Sequence, residues 1–326
     1  MHLSNKMIKS ILAGGLLLAA TQVWAGGAWV PEPGKGSIQW GYSRKTGHQI
    51  WDDQGNGFIK KNAAGKLPTL HDFRYGILSG EVGLHKRVSG TFLFTYLWGF
   101  EGAKPNQEEN FGFSDAWLGA KFQVKNGTWP QALRASWRTP FMYDQQGPYQ
   151  RHLYSVKHDA ANLAKLEAGQ TVADTVSFVM NNPEWRGILR NDLAFLYSVS
   201  HSFHRFPGWM SLEAGYNFRQ GGPSDDIPVN FELGYTFKVK SYTPHLKLSG
   251  NLVKSVGNNS KSDPHDRFNF PASIPFDFND ASMFRGGLSL LWPVDNWFLE
   301  VGYNQWLWGR GAFQYKEPFF GITRNL

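Results

Sequence analysis

The chain has 326 residues and no cysteine, so neither a disulfide framework nor a thiolate metal site organises it. Beyond Ala25 it also lacks any apolar run near the ~20 residues that a bilayer-spanning helix requires. No low-complexity linker, composition break or block of like charge divides the remainder, which favours one domain over two. Chemistry-bearing motifs are missing as well. There is no H-E-x-x-H pair, the ten histidines are scattered, and no glycine-rich phosphate loop opens a helix. Basic residues outnumber acidic ones by 33 to 26, but the surplus is spread, and no nucleic-acid-binding patch emerges. No cofactor or metal is expected from these residues.

What the sequence does have is a two-residue rhythm. Val229-Asn230-Phe231-Glu232-Leu233-Gly234-Tyr235-Thr236-Phe237 is the cleanest case, and Gly90-Thr91-Phe92-Leu93-Phe94-Thr95-Tyr96-Leu97-Trp98 is greasier on both registers. Successive side chains on a strand point to opposite faces, so one face is apolar and the other mostly polar. When nearly every strand of a large chain also carries charge on its second face, the pattern predicts a β-barrel in lipid with a wet interior. A negative mean hydropathy beside 41% hydrophobic residues agrees with that. Aromatics make up 16% of the chain. Trp40, Trp98, Phe100, Phe218, Phe237, Trp292 and Trp297 lie near predicted strand ends on the outward register, where girdles at the two lipid–water boundaries would form.

The first 25 residues read as a secretory signal peptide: Lys6 and Lys9, an apolar stretch over 11–20, and an A-x-A-like Val23-Trp24-Ala25. The expected mature chain, 26–326, has 326 − 25 = 301 residues, and its net charge falls from +7 to +5 with the loss of the two lysines.

Alternation predicts twelve strands over 36–44, 74–85, 88–99, 113–124, 131–140, 187–200, 209–219, 227–238, 242–253, 283–292, 297–306 and 318–326. Connections after odd-numbered strands are mostly long (45–72, 101–110, 141–184, 254–280), and those after even-numbered strands mostly short. Outer-membrane barrels sort their loops this way, with short periplasmic turns and longer extracellular loops. The fold class expected is therefore all-β, a twelve-stranded antiparallel transmembrane barrel in a Gram-negative outer membrane with both termini periplasmic.

The inward register then carries the candidate lumen and solute path: Lys121, Arg134, Arg138, Arg190, Glu213, Arg219, Glu232 and Arg285. Glu81, Asp115, Asp192, His245, Lys247 and Glu300 accompany them. A basic side chain facing mid-bilayer lipid would cost about 2–4 kcal/mol, which demands this placement. Two readings stay open: a structural ladder of ion pairs, or surplus cations, notably Arg134 and Arg138, that bias a constricted pore toward anionic or polar-tailed solutes. In the longest connection, 141–185, Asp159 caps a possible short helix ended by Gly169. This loop either folds over the pore mouth as a lid or extends the sixth strand. His201-Ser202-Phe203-His204 is the one compact His/Ser group and reads as a polar turn rather than a hydrolase site. His152 with Ser155, and His265 with Asp266, have no recognised catalytic or metal spacing.

Several blocks resemble a family of Gram-negative outer-membrane barrels linked to the phenol meta-cleavage pathway, placed near the FadL-type transporters of hydrophobic substrates. Gly27-Ala28-Trp29-Val30-Pro31-Glu32-Pro33-Gly34-Lys35-Gly36 is similar to its mature N-terminus, and residues 75–84 to its second strand. Ser114-Asp115-Ala116-Trp117-Leu118-Gly119-Ala120-Lys121-Phe122 and Arg138-Thr139-Pro140 resemble its later strands. The strongest match is 212–226, Leu212-Glu213-Ala214-Gly215-Tyr216 onward, followed near the end by Leu299-Glu300-Val301-Gly302-Tyr303 and Gly309-Arg310-Gly311. The resemblance implies an outer-membrane transporter admitting small aromatic or hydrophobic compounds, and implies no catalytic residues. Barrels of this kind finish on an aromatic that the barrel-assembly machinery reads, whereas Leu326 stands here. Taken together, the expected function is a passive, selective channel, with outer-membrane lipid, a small solute and the assembly machinery as partners. The alternatives are a lipid hydrolase on a barrel scaffold and an accessory barrel for envelope or polysaccharide assembly.

Overall fold

The computed structural model describes residues 27–51, 55, 57–58, 71–101, 108–139, 191–203, 205–220, 224–257, 281–310 and 312–326. Twelve strands form the wall: β1 Gly36–Trp51, β2 His71–His85, β3 Val88–Glu101, β4 Glu108–Lys125, β5 Gln131–Thr139 and β6 Asp192–Ser202. They continue as β7 Gly208–Arg219, β8 Asp226–Thr236, β9 His245–Ser255, β10 Ser282–Val294, β11 Trp297–Arg310 and β12 Ala312–Asn325. Each pairs antiparallel with its chain neighbour, and β12 pairs with β1, closing the sheet. A two-residue piece, Gly57–Phe58, adds to the far end of β1. Closure removes the sheet edges that an open sheet would leave unpaired in lipid.

All twelve expected strands are present, and four are longer than expected by four residues or more: β1 continues past Arg44 to Trp51, β4 begins at Glu108 instead of Phe113, β11 reaches Arg310, and β12 begins at Ala312 instead of Pro318. Lys316-Glu317-Pro318 reads as a turn by composition, because proline cannot donate to a ladder. The structure accommodates Pro318 where the β1–β12 ladder skips. Ser43 pairs with Phe319 and Thr46 with Lys316, and no rung lies between them. β11 thus ends at Arg310 and β12 begins at Ala312, an exception to the long-loop rule.

Burial is inverted relative to a soluble protein. Lys121 is 0% exposed and Glu213 1%, while Phe218 and Val301 are about half exposed at 51% and 52%. Water on the outside would make this arrangement costly on both counts; hydrocarbon outside reverses both. Aromatic girdles mark the outer rims. At the short-turn end His201 stacks on Trp129 at 4.2 Å, Phe206 on Tyr235 at 4.9 Å, and Arg324 lies 5.3 Å over Trp297. Toward the long-loop end Trp98 packs on Tyr42 and Tyr96, and Tyr96 on Phe113. Arg324, on the outward register, thus sits in a rim and not at mid-depth.

Residues 27–35 form a strap that enters the barrel at the short-turn end. Gly34 N–H donates to the Gly83 carbonyl and Gly83 N–H to that of Lys35, fastening the strap to β2. A side chain at Gly83 would strike the Glu32 and Pro31 carbonyls, its Cβ lying 2.2 and 2.4 Å from them, so glycine is required for that close approach. The strap's first residues, Gly27 and Ala28, are buried against β4 and β6. Ala28 N–H donates to Ser200 Oγ at 2.9 Å, and Lys121 Nζ donates to the Gly27 carbonyl at 2.9 Å.

Candidate functional site: the barrel lumen

The lumen is built by the inward register of every strand, and its charges come in three groups. Nearest the short-turn end, Lys121 of β4 pairs with Glu81 of β2 at 2.8 Å, and Ser89 Oγ also donates to Glu81. Across the bore Lys247 of β9 meets Glu300 of β11 at 2.6 Å, with Ser289 and Gln39 donating to the same carboxylate. Trp209 Nε1 donates to Glu232 at 2.7 Å, and the Trp209, His245 and Phe298 rings pack together. These rings are buried at this end of the bore, as are Gly27, Ala28 and Pro31 of the strap.

The second group climbs the wall made by β4 to β8. Arg134 pairs with Glu213, and Asn230 donates to the same carboxylate at 3.1 Å. Farther along, Arg138 Nε donates to Asp115 at 2.8 Å and lies 3.7 Å from Asp192. Arg219 stands 3.9 Å from both Asp192 and Asp226, and Asn217 donates to Asp226. Here two arginines serve three aspartates. The two arginine side chains are 17–24% exposed while Asp115 and Asp192 are buried, so the arginines form the surface that lumen water meets.

A third group lies on β10, β11, β12, β1 and β2, six strands from β6 in a ring of twelve and hence opposite it. Lys45 Nζ is 3.8 Å and Arg285 Nη1 3.5 Å from the Glu317 carboxylate, to which Asn304 also donates at 3.1 Å. Lys45 lies 4.4 Å over the Tyr75 ring, and both cations face Trp306 at 5.4 and 5.5 Å. Trp306 in turn packs edge-on to Tyr315 and donates to Met283 Sδ. Trp51 and Ala312 complete a small apolar cluster behind it.

Of the expected lumenal residues, Lys121, Arg134, Arg138, Glu213, Arg219, Glu232 and Arg285 all point inward, each against a partner given above. Arg190, the possible lid at 141–185 and the first 25 residues lie outside the described residues, as do His152, Ser155, His265 and Asp266. His201 faces the outer rim, its Nδ1 2.8 Å from the Thr128 carbonyl, and Ser202 is exposed beside it. Sequence reasoning missed Lys45 and Glu317, because 45–72 and the stretch before 318 read as loops, and it gave Trp306, at the end of the expected eleventh strand, no lumenal role. The odd-numbered register of β1, continued by one step from Ser43, would have found Lys45.

No protein-family profile and no curated protein sequence matches the chain. Among solved structures it is similar to the COG4313 outer membrane channel from Pseudomonas putida F1, at 9% identity, with 93% of this chain and 100% of that one covered and a TM-score of 0.58. That likeness shows a shared outer-membrane barrel fold. Weaker likenesses include LpxR from Salmonella typhimurium, at 10% identity over 88% of this chain and 99% of that one (TM-score 0.44), and the CymD monoaromatic hydrocarbon channel, at 7% over 91% and 89% (TM-score 0.38). At these scores the latter two carry no argument.

Proposed function

We propose that this chain is an outer-membrane channel through which small solutes pass without energy input, directed by the charged lumen. The observation that carries the reading is the lumen itself: a closed wall greasy toward lipid, with arginine side chains a fifth to a quarter exposed inside it. A barrel serving only as an anchor has no need to place hydrated charge along its axis; a path for polar or amphipathic solutes does. The fold-level likeness to a protein described as an outer membrane channel supports the same reading, though by analogy alone.

In this scheme residues 1–25 direct export and are removed, and 26–326 form one barrel. The short turns and both termini face the periplasm, and the long connections face the exterior. The barrel-assembly machinery inserts the chain. Small aromatic or hydrophobic compounds are the solutes we favour, on the strength of the family resemblance. The pairing of Arg134 and Arg138 with acids gives most of the lumenal charge a structural role, and Arg138 is the selectivity candidate because its guanidinium bridges two acids at the lumen surface.

The test is reconstitution of the mature chain into planar bilayers and liposomes. Discrete conductance in potassium chloride and size-dependent swelling are expected, with a shifted reversal potential in Arg138→Ala. Folded, heat-modifiable protein that neither conducts nor supports swelling would overturn the proposal.

A further inference from the structure

We propose that the lumenal face around Lys45, Arg285 and Trp306 is a binding site for a small aromatic carboxylate, an inference that rests on the channel reading and names its solute class. Three observations converge on it.

Charge comes first. The β4–β8 wall sets two arginines among three aspartates, whereas this wall sets two cations about one acid, Glu317, among the described residues. Both contacts to Glu317 are long, 3.8 and 3.5 Å, and that carboxylate also accepts from Asn304. The group therefore holds a net positive charge with donor capacity to spare, and Lys45 and Arg285 remain 24% and 28% exposed to the lumen. A fixed positive charge facing the lumen attracts an anion, and an arginine fork suits a planar carboxylate.

Shape follows. The cations sit over Tyr75 and Trp306, and Tyr315 packs edge-on to Trp306, so the surroundings of the anion position are ring faces and edges. Tyr75 and Tyr315 are partly exposed. Such a lining rewards a flat apolar body through stacked or edge contacts and gives an aliphatic or inorganic anion little beyond charge.

Local backbone is the third. The rung missing beside Pro318 falls between Ser43 and Thr46, at the strand positions that carry Lys45 and Glu317. The register is unchanged across the gap, so Lys45 and Glu317 stand opposite one another, both facing the lumen, where Pro318 leaves the ladder open.

The experiment is a fluorine NMR titration of the folded, detergent-solubilised full barrel with 4-fluorobenzoate, 4-fluorobenzyl alcohol and fluoroacetate. Fluorobenzoate is expected to bind saturably, with the alcohol and fluoroacetate each at least about tenfold weaker, a 1.4 kcal/mol difference. Arg285→Gln should weaken fluorobenzoate about tenfold and leave the alcohol unchanged, since it removes a charge-assisted contact. Glu317→Gln should strengthen fluorobenzoate, because it deletes the one competing acid of the group; this variant serves if Arg285→Gln does not fold. Absence of saturable fluorobenzoate binding, equal binding of the alcohol, or an unchanged affinity in Glu317→Gln overturns the proposal. Potassium chloride conductance of the same preparation separates the two readings. Conductance without fluorobenzoate binding sinks the site alone; binding without conductance sinks the channel alone.

Discussion

Lys121 offers the most demanding test of how this lumen is held together. Its ammonium is wholly buried, 2.8 Å from Glu81 and 2.9 Å from the Gly27 carbonyl, so it ties two strands and the strap at one point. Lys121→Met strands the Glu81 carboxylate away from water, and breaking a buried pair in this way costs about 3–5 kcal/mol. Glu81→Gln leaves the opposite charge behind and should cost a similar amount, less what the Gly27 carbonyl still supplies. In the double variant neither charge is left alone, and the glutamine oxygen still accepts from Ser89. Its loss should shrink to roughly 1–3 kcal/mol, the worth of the charge-assisted bond to the strap. The expected coupling is therefore several kcal/mol, far beyond the ~0.5 kcal/mol scatter of independent sites. Urea unfolding from lipid vesicles, followed through tryptophan fluorescence, reads it directly. Additive losses would refute the claim that the two groups neutralise one another, and with it the ladder description of the lumen.

Three other outcomes are expected. Leu288→Arg, at a position 52% exposed on the lipid face of β10, should destabilise the barrel by about 2–4 kcal/mol in bilayers; an unaltered unfolding midpoint would mean that this face does not meet hydrocarbon. Gly83→Ala should dislodge the strap, because its Cβ would lie 2.2 Å from the Glu32 carbonyl, and limited proteolysis should then cut within 27–35 while the strands stay protected. Arg134→Ala removes the cation paired with the buried Glu213, and a loss of about 3–5 kcal/mol should follow; paired substitution with Glu213→Gln should restore most of it.

Strand number, facing and the polar lumen were legible in the sequence because alternation is a local property, written within each segment of about ten residues. Val229 to Thr236 shows lipid-facing Phe231, Leu233 and Tyr235 against inward Asn230, Glu232 and Gly234, as the rhythm required. The strap was not legible. Its contacts join residues 94 and 172 positions apart, and nothing periodic in 27–35 announces them. The Lys45–Glu317 group was hidden for a different reason: proline and paired charges imitate a turn, and only the partner strand reveals that a missing rung absorbs the proline. Which cation meets which acid is equally a product of register between strands, not of either strand alone.

The pairing of β12 with β1 sets a condition on how the molecule comes into being. Every other pairing of the twelve wall strands joins neighbours along the chain, whereas Ser37 must find Asn325, 325 − 37 = 288 positions away. Joining ends so distant costs roughly 3–4 kcal/mol more in chain entropy than a five-residue turn. Until that meeting takes place the nascent ribbon bears two raw margins, each a template for the wrong neighbour. Assembly therefore ends in a single fastening that only a complete chain can make, and whatever shepherds the ribbon must shelter both margins until they come together.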